Sequence, residues 1–276
     1  MAIEAEEAKE ADAIGFMARM LVQATMPHKK TDERTFTRQN GNFHMSIVGN
    51  PGFGLPYGSI PRLLLAWLTT EAVRTKEREL VLGDSLSDFM RQLGLVPTGG
   101  RWGSITRVKE QTKRLFGASI SCKQETEERT AWKNFNVAKE FNIWWQTKSP
   151  EQPSLWDSTV MLDQDFFNEI IERPVPIDMR ALQAIKQSPM ALDIYTWLTY
   201  RMSYLKRGTE IPWQALQMQF GAGYAMDNYG KRYFKRAFLK HLSKIHVVYP
   251  EAKVGEGSYG LQLKPSKPHI ARDTKK

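Results

Sequence analysis

The chain has 276 residues, 41% of them hydrophobic and 25% charged, which suits one large or two ordinary folded domains and excludes wholesale disorder. Lys and Arg number 39 against 30 Asp and Glu, and the resulting +9 points to a polyanionic partner, nucleic acid before anionic membrane. One cysteine, Cys122, excludes an internal disulfide; the five scattered histidines make no zinc knuckle; and the longest apolar run, residues 63–68, is far short of the roughly 20 that a membrane span needs. The acidic start lacks the basic and apolar regions of a secretory signal, so a soluble cytosolic protein is expected.

Residues 1–24 read as a weakly amphipathic helix, and 27–56, rich in Asn, Gly and Thr, as loop with one short strand at 43–48; residues 1–54 together form a partly flexible extension. Ser59-Ile60-Pro61 opens a helix to about Thr75, with Ser59 as a candidate N-cap. Residues 79–82 suit a short strand. Asp84 or Ser85 caps a second helix, with Leu86, Phe89, Met90 and Leu93 at helical spacing and Gly94 as the stop. A Pro97-Thr98-Gly99-Gly100 turn leads to a third helix over 102–116. Residues 118–123 and 131–145 then predict a long β-hairpin.

After a linker-like break at Pro150 and Pro153 the pattern restarts. A strand at 159–162 and an amphipathic stretch at 163–171 come first, then Pro174 and Pro176 as punctuation and a short helix over 178–187. Ser188-Pro189 caps a long helix through Leu205. A strand at 210–212, a helix at 213–220, a turn at 221–223 and a helix at 228–245 follow, with a second hairpin from 247–249 and 259–263. A shift of 130 residues lays Trp67-Leu68-Thr69 on Trp197-Leu198-Thr199, Leu86 on Leu216 and Val108 on Phe238. The repeated order is that of the winged helix-turn-helix. The predicted fold class is therefore α+β, with two tandem winged-helix domains at 55–150 and 151–265 and a basic tail at 266–276.

The charge is unevenly spread. Glu4, Glu6, Glu7, Glu10 and Asp12 against Lys9 make residues 1–12 sum to −4, whereas residues 231–276 hold twelve Lys or Arg and three acids and carry +9. On a helical wheel Phe234, Phe238, Leu242 and Ile245 form one face of the 228–245 helix. Arg232, Arg236 and Ser243 lie almost opposite, Lys240 beside them, and Lys231, Lys235 and Lys244 at the flanks. Such like charges repel in isolation and gain from a polyanion that releases counterions. Arginine forks suit guanine edges and lysines suit phosphates, so this helix is the expected major-groove reader. In the first copy Ile105, Val108, Leu115 and Phe116 face inward, Arg107 and Arg114 project away, and Arg101, Lys109 and Lys113 add charge. Glu125, Glu127 and Glu128 at its hairpin tip make this copy the weaker reader.

No phosphate-binding G-x-x-x-x-G-K-[ST] loop occurs, so an NTPase motor is not expected. Tyr229 and Tyr233 have a spacing that some nickases use, but His28, His44, His241, His246 and His269 supply no H-x-H metal pair. Asp163 and Asp165 lack a third ligand, and Cys122 lacks a nucleophile's setting. The expectation is no enzyme, no metal and no cofactor.

The blocks Gly58-Ser59-Ile60-Pro61-Arg62, Ala66-Trp67, Gly83-Asp84-Ser85-Leu86-Ser87-Asp88-Phe89 and Ser188-Pro189-Met190-Ala191-Leu192-Asp193-Ile194-Tyr195 closely resemble the plasmid-encoded RepA family of replication initiators, across roughly 55–263. The resemblance implies a bacterial cytoplasmic protein that binds repeated sequences, iterons, in duplex plasmid origin DNA and helps open it for the host replicative helicase. It also implies contact with the host initiator, a monomer or dimer, repression of its own gene, and an amino-terminal winged helix for dimerisation and backbone contact. A repressor without initiation activity shares the same modules and remains open.

Overall fold

Leu63, Leu64, Leu65, Ala66, Trp67 and Leu68 surround a helix with apolar side chains, and the fold buries all six. The computed structural model describes residues 13–145 and 158–270. The acidic tip, the Pro150–Pro153 break and the last six residues lie outside them. In chain order, β1 (Ile14–Ala18) and α1 (Arg19–Gln23) precede the hairpin β2 (Thr35–Asn40) and β3 (Phe43–Val48). Next come α2 (Ser59–Thr75), β4 (Glu79–Val81), α3 (Leu86–Gln92), α4 (Ser104–Phe116), β5 (Ser119–Glu125), β6 (Thr130–Asn136), β7 (Ala138–Asn142) and β8 (Thr159–Leu162). Then α5 (Gln164–Glu172), β9 (Pro174–Asp178) and α6 (Met179–Ala184) lead to α7 (Pro189–Met202), β10 (Thr209–Pro212), α8 (Trp213–Phe220), α9 (Asn228–Val248), β11 (Val254–Glu256) and β12 (Gly260–Leu263). The result is a mixed α/β fold with helices and several small sheets.

The two runs repeat at the level of packing. Trp67 of α2 meets Phe89 of α3 edge-on at 5.2 Å, and Trp197 of α7 meets Phe220 of α8 edge-on at 5.5 Å. Strand order repeats too: β4-β8-β7 in the first run and β10-β12-β11 in the second. The first-run counterpart of the β11–β12 hairpin is thus β7 with β8, and the predicted long hairpin needs correction. Its second strand breaks at Val137, so that β6 pairs with β5 while β7 pairs with β8. The 159–162 strand, expected to open the second run, lies instead between β4 and β7. β5 and β6 extend the β2–β3 hairpin into a four-stranded sheet, β2-β3-β5-β6. β2 is missing from the sequence reading because its residues, polar except for Phe36, carry little apolar alternation.

Further corrections have equally local causes. The described part of the expected first helix is β1 and α1, because β1 has a strand partner 160 residues away, β9. Pro174 and Pro176 are strand residues: both fall on the same alternate positions, opposite Ala18 and Phe16, so neither missing N–H is needed by the ladder. The Phe16 N–H is left to bond the Thr70 hydroxyl at 2.9 Å. The predicted strand at 247–249 is the end of α9, which runs to Val248, and the strand follows at β11. The tail after Pro265 is docked as far as Ile270: the Tyr249 hydroxyl donates to the Lys267 carbonyl at 2.7 Å, His269 stacks on Tyr249 at 4.5 Å, and Ile270 packs with Ala13.

β1 and β9 pair antiparallel with Phe16 opposite Pro176 at the centre, and each strand feeds a short helix and packs on its own run's long helix, α2 or α7. The ladder therefore has a local twofold. Beside it Arg62 of α2 binds Asp193 of α7 through both carboxylate oxygens, at 2.6 and 2.7 Å.

Candidate nucleic-acid interface

α9 is fixed before it can offer anything. The Asp227 carboxylate caps it by accepting from the Gly230 N–H at 2.7 Å. Gly230 is packed so closely that a Cβ there would lie 1.9 Å from the Ala225 carbonyl oxygen. Phe234, Phe238, Leu242, Ile245 and Val248 are buried, and an aromatic cluster holds that face. In it Phe238 meets Trp213 at 5.8 Å and Phe220 at 5.6 Å, and Phe234 meets Tyr224 at 5.6 Å.

The opposite face carries Arg232, Arg236, Lys240, Ser243 and Lys244, all exposed, with Lys231 half-buried at its edge. The Arg236 guanidinium lies over the Tyr233 ring at 5.2 Å, which limits its rotamers while leaving the fork accessible. Lys235 is different: it pairs with Glu256 of β11 and sits over the Trp213 ring at 5.3 Å, so it ties the helix to the hairpin. His241 turns from the exposed face towards Ser188, 3.2 Å away, and burial lowers its pKa. Tyr229 and Tyr233 are 74% and 54% exposed beside the arginines. Tyr259, missed in the sequence reading, stands 85% exposed at the β11–β12 tip, whose Tyr259 and Gly260 N–H groups both bond Glu210. An aromatic beside Gly257-Ser258 is the only sequence signal for it.

α4 presents less. Arg107 is exposed, Lys109 half-buried, and exposed Arg101 stacks on Trp102 at 5.3 Å. Lys113 leans over the Phe53 ring at 5.8 Å. Arg114 does not project away as expected. Its side chain is 12% exposed, donates to Glu110 at 2.8 Å and to the Leu55 carbonyl at 3.2 Å, and covers the Tyr57 ring. The loop before α2 folds back over α4 and takes up that charge. The helices thus differ: α9 has a continuous cationic outer face, and α4 a broken one.

Other residues weighed in the sequence have structural employment. Asp163 caps α5, accepting from the Asp165 and Phe166 N–H groups, and Asp165 pairs with Lys133 at 3.7 Å. Cys122 is a buried β5 residue whose thiol burial pushes up to about 12. Among the described residues no group of three or more His, Cys, Asp or Glu could hold a metal ion, and no helix is long and apolar enough to cross a membrane.

Comparison with solved structures bears on the fold first. The fold is similar to that of RctB domains 2 and 3: one crystal structure superposes with a TM-score of 0.54 at 12% identity, covering 89% of this chain and 96% of that one. A second gives 0.56 at 10% identity, covering 91% and 99%. At such identities the likeness is one of fold. The sequence itself matches the plasmid-encoded RepA protein family over residues 55–215, and the chain belongs to that family. No curated protein matches it.

Proposed function

We propose that this protein initiates plasmid replication without ATP, by binding repeated sequences in duplex origin DNA through two winged helices. One is centred on α2–α4 with the β7–β8 hairpin, the other on α7–α9 with β11–β12. The carrying observation is the outer face of α9, where Arg232, Arg236, Lys240, Ser243 and Lys244 stand exposed with no acid on the helix itself. A third helix of this kind enters a major groove, where arginine forks match guanine O6 and N7. Lys231 and Lys244 sit where phosphates flank such a helix, and Arg101, Arg107, Lys109 and Lys113 give the first unit a supporting backbone contact. Family membership supports the initiator role over that of a plain repressor. Opening the origin for the host helicase, contact with the host initiator, self-association and repression of its own gene complete the reading.

The test is a titration of the repeat DNA at fixed salt. Arg232→Ala and Arg236→Ala should each cost about 1–3 kcal/mol of binding if they pair with bases. Unchanged origin binding by the double variant sinks the assignment.

A further inference from the structure

Arg38 of β2 is a cation with no acid among the described residues to neutralise it. Among the described residues its guanidinium has no carboxylate within ion-pairing distance. Nη1 donates to the Met218 carbonyl near the end of α8 at a long 3.4 Å, and Nε is buried without a partner. The guanidinium lies over the Phe36 ring at 4.6 Å, and burial alone lowers its pKa to about 10. A half-buried charge left unpaired is destabilising, and the partial negative end of α8 offsets only part of that cost.

The surroundings show what would supply the rest. Arg38 lines a cavity of about 760 Å³ between the Pro27–Glu33 segment, β2, the start of α7 and the α8–α9 turn. Exposed Lys29 and Lys30 stand at the same cavity, and Glu33 is the only acid lining it. On its other side Arg38 lines a pocket of about 520 Å³ with Lys123 and no acid at all. The exposed Ala222–Gly223 turn ahead of α9 forms one wall, so an anion here would sit beside the proposed reading helix.

We propose that Arg38, with Lys29 and Lys30, forms a phosphate-binding site that grips the DNA backbone next to the α8–α9 turn. The choice of DNA as the phosphate source rests on the function proposed above; the chemistry of the site does not. One guanidinium and two ammonium groups, with both imidazoles of the cavity, His28 and His241, held neutral by burial, suit a phosphate oxygen cluster better than a neutral ligand. The site also joins the units, since β2 belongs to the first run's four-stranded sheet and the turn to the second run.

Two arms test it on the full chain. In the first, binding to a mixed-sequence duplex of about 30 base pairs is measured against salt concentration. Arg38→Met should weaken binding and lower the slope of log K against log salt by about 0.9, the value of one lost phosphate contact. Lys29→Gln with Lys30→Gln, at exposed positions, should lower the slope without moving the thermal midpoint. In the second arm the midpoint is measured with and without inorganic phosphate and no DNA. Phosphate should raise it in the wild type and not in Arg38→Met, whose phosphate-free midpoint should be no lower than the wild type's. A response in the second arm alone makes free phosphate the source and still upholds the site. Equal slopes and equal phosphate responses in wild type and variant overturn it, as does a lowered midpoint with an unchanged slope, which marks a structural arginine. Loss of binding in Arg38→Met with none in Arg232→Ala/Arg236→Ala would remove the α9 reading and leave this site standing.

Discussion

Arg62 and Asp193 are opposite charges 2% and 7% exposed, and their tolerance inside the fold depends on complete satisfaction. Besides the two bonds to Asp193, Arg62 donates to the carbonyls of Met26, Gly58 and Pro27 at 2.7, 2.6 and 3.3 Å. Asp193 also receives His28 Nε2 at 2.7 Å. Burial raises the Asp193 pKa, yet Arg62 and His28 outweigh it and hold the carboxyl below its ordinary value. A paired charge of this kind is weak evidence for net stability, but removing one member leaves the other stranded. Asp193→Ala should therefore cost about 3–5 kcal/mol in urea unfolding, while Arg62→Met with Asp193→Leu should recover much of it. A loss under about 1 kcal/mol for Asp193→Ala would mean that water reaches Arg62 after all. The sequence displays Arg62 and Asp193 in two separate family blocks but not their pairing, which spans 131 residues.

At the scale of elements, what could be read from the sequence is what a single element decides by itself. α2 and α7 were legible from the Ser and Pro signals at their starts, with the apolar run of α2, and α9 from apolar positions at helical spacing, whose wheel also gives its outward cations. Pairing between distant segments was not legible. Residues 131–145 have the composition of one strand, but only the positions of β5 and β8 divide them into β6 and β7. Lys235, read as a flanking DNA contact, and Arg114, read as projecting away, were misplaced for the same reason: Glu256 and the Leu55 carbonyl, which bind them, come from other elements. Arg38 gave no signal, since its significance is the absence of a partner in space. The approach of α9 to the turn before it rests on one residue with no side chain. Gly230→Ala puts a Cβ against the backbone of Ala225, whose carbonyl also accepts from Gln217 at 2.7 Å, so the helix start has to move. The expected cost is about 1–3 kcal/mol of stability with a further loss of DNA binding. Equal melting and equal binding for Gly230→Ala and wild type would show that the contact is slack.

Across the whole molecule, α7 is the element on which the remote pieces converge, and three of the fastenings use imidazoles. His28 brings the segment before β2 to Asp193, His241 brings α9 to Ser188, and His269 brings the chain after β12 to Tyr195, 2.7 Å away. The Tyr195 hydroxyl accepts from the Asp178 N–H at 2.9 Å and meets His269 Nδ1 at 2.7 Å, where a neutral ring with Nδ1 unprotonated can accept its proton. Burial lowers the pKa of all three rings, and for His28 it outweighs the pull of Asp193 because Arg62 already balances that carboxylate. The folded state thus prefers neutral imidazoles, whereas the unfolded chain takes up protons near the ordinary value of about 6.5. Between that value and the lower folded ones the unfolded state binds more protons, so stability falls as pH drops and is level above. The carboxyls of Asp178 and Asp193, both held below their ordinary value, add their own loss only at more acid pH. The thermal midpoint should accordingly stay flat from about pH 8 to 7 and decline below about 6.5. His269→Gln should make that decline shallower, since Gln can still meet the Tyr195 hydroxyl but has no proton to gain. A midpoint that holds steady from neutral pH down to about 5 would show that the three imidazoles are not what fastens the fold to α7.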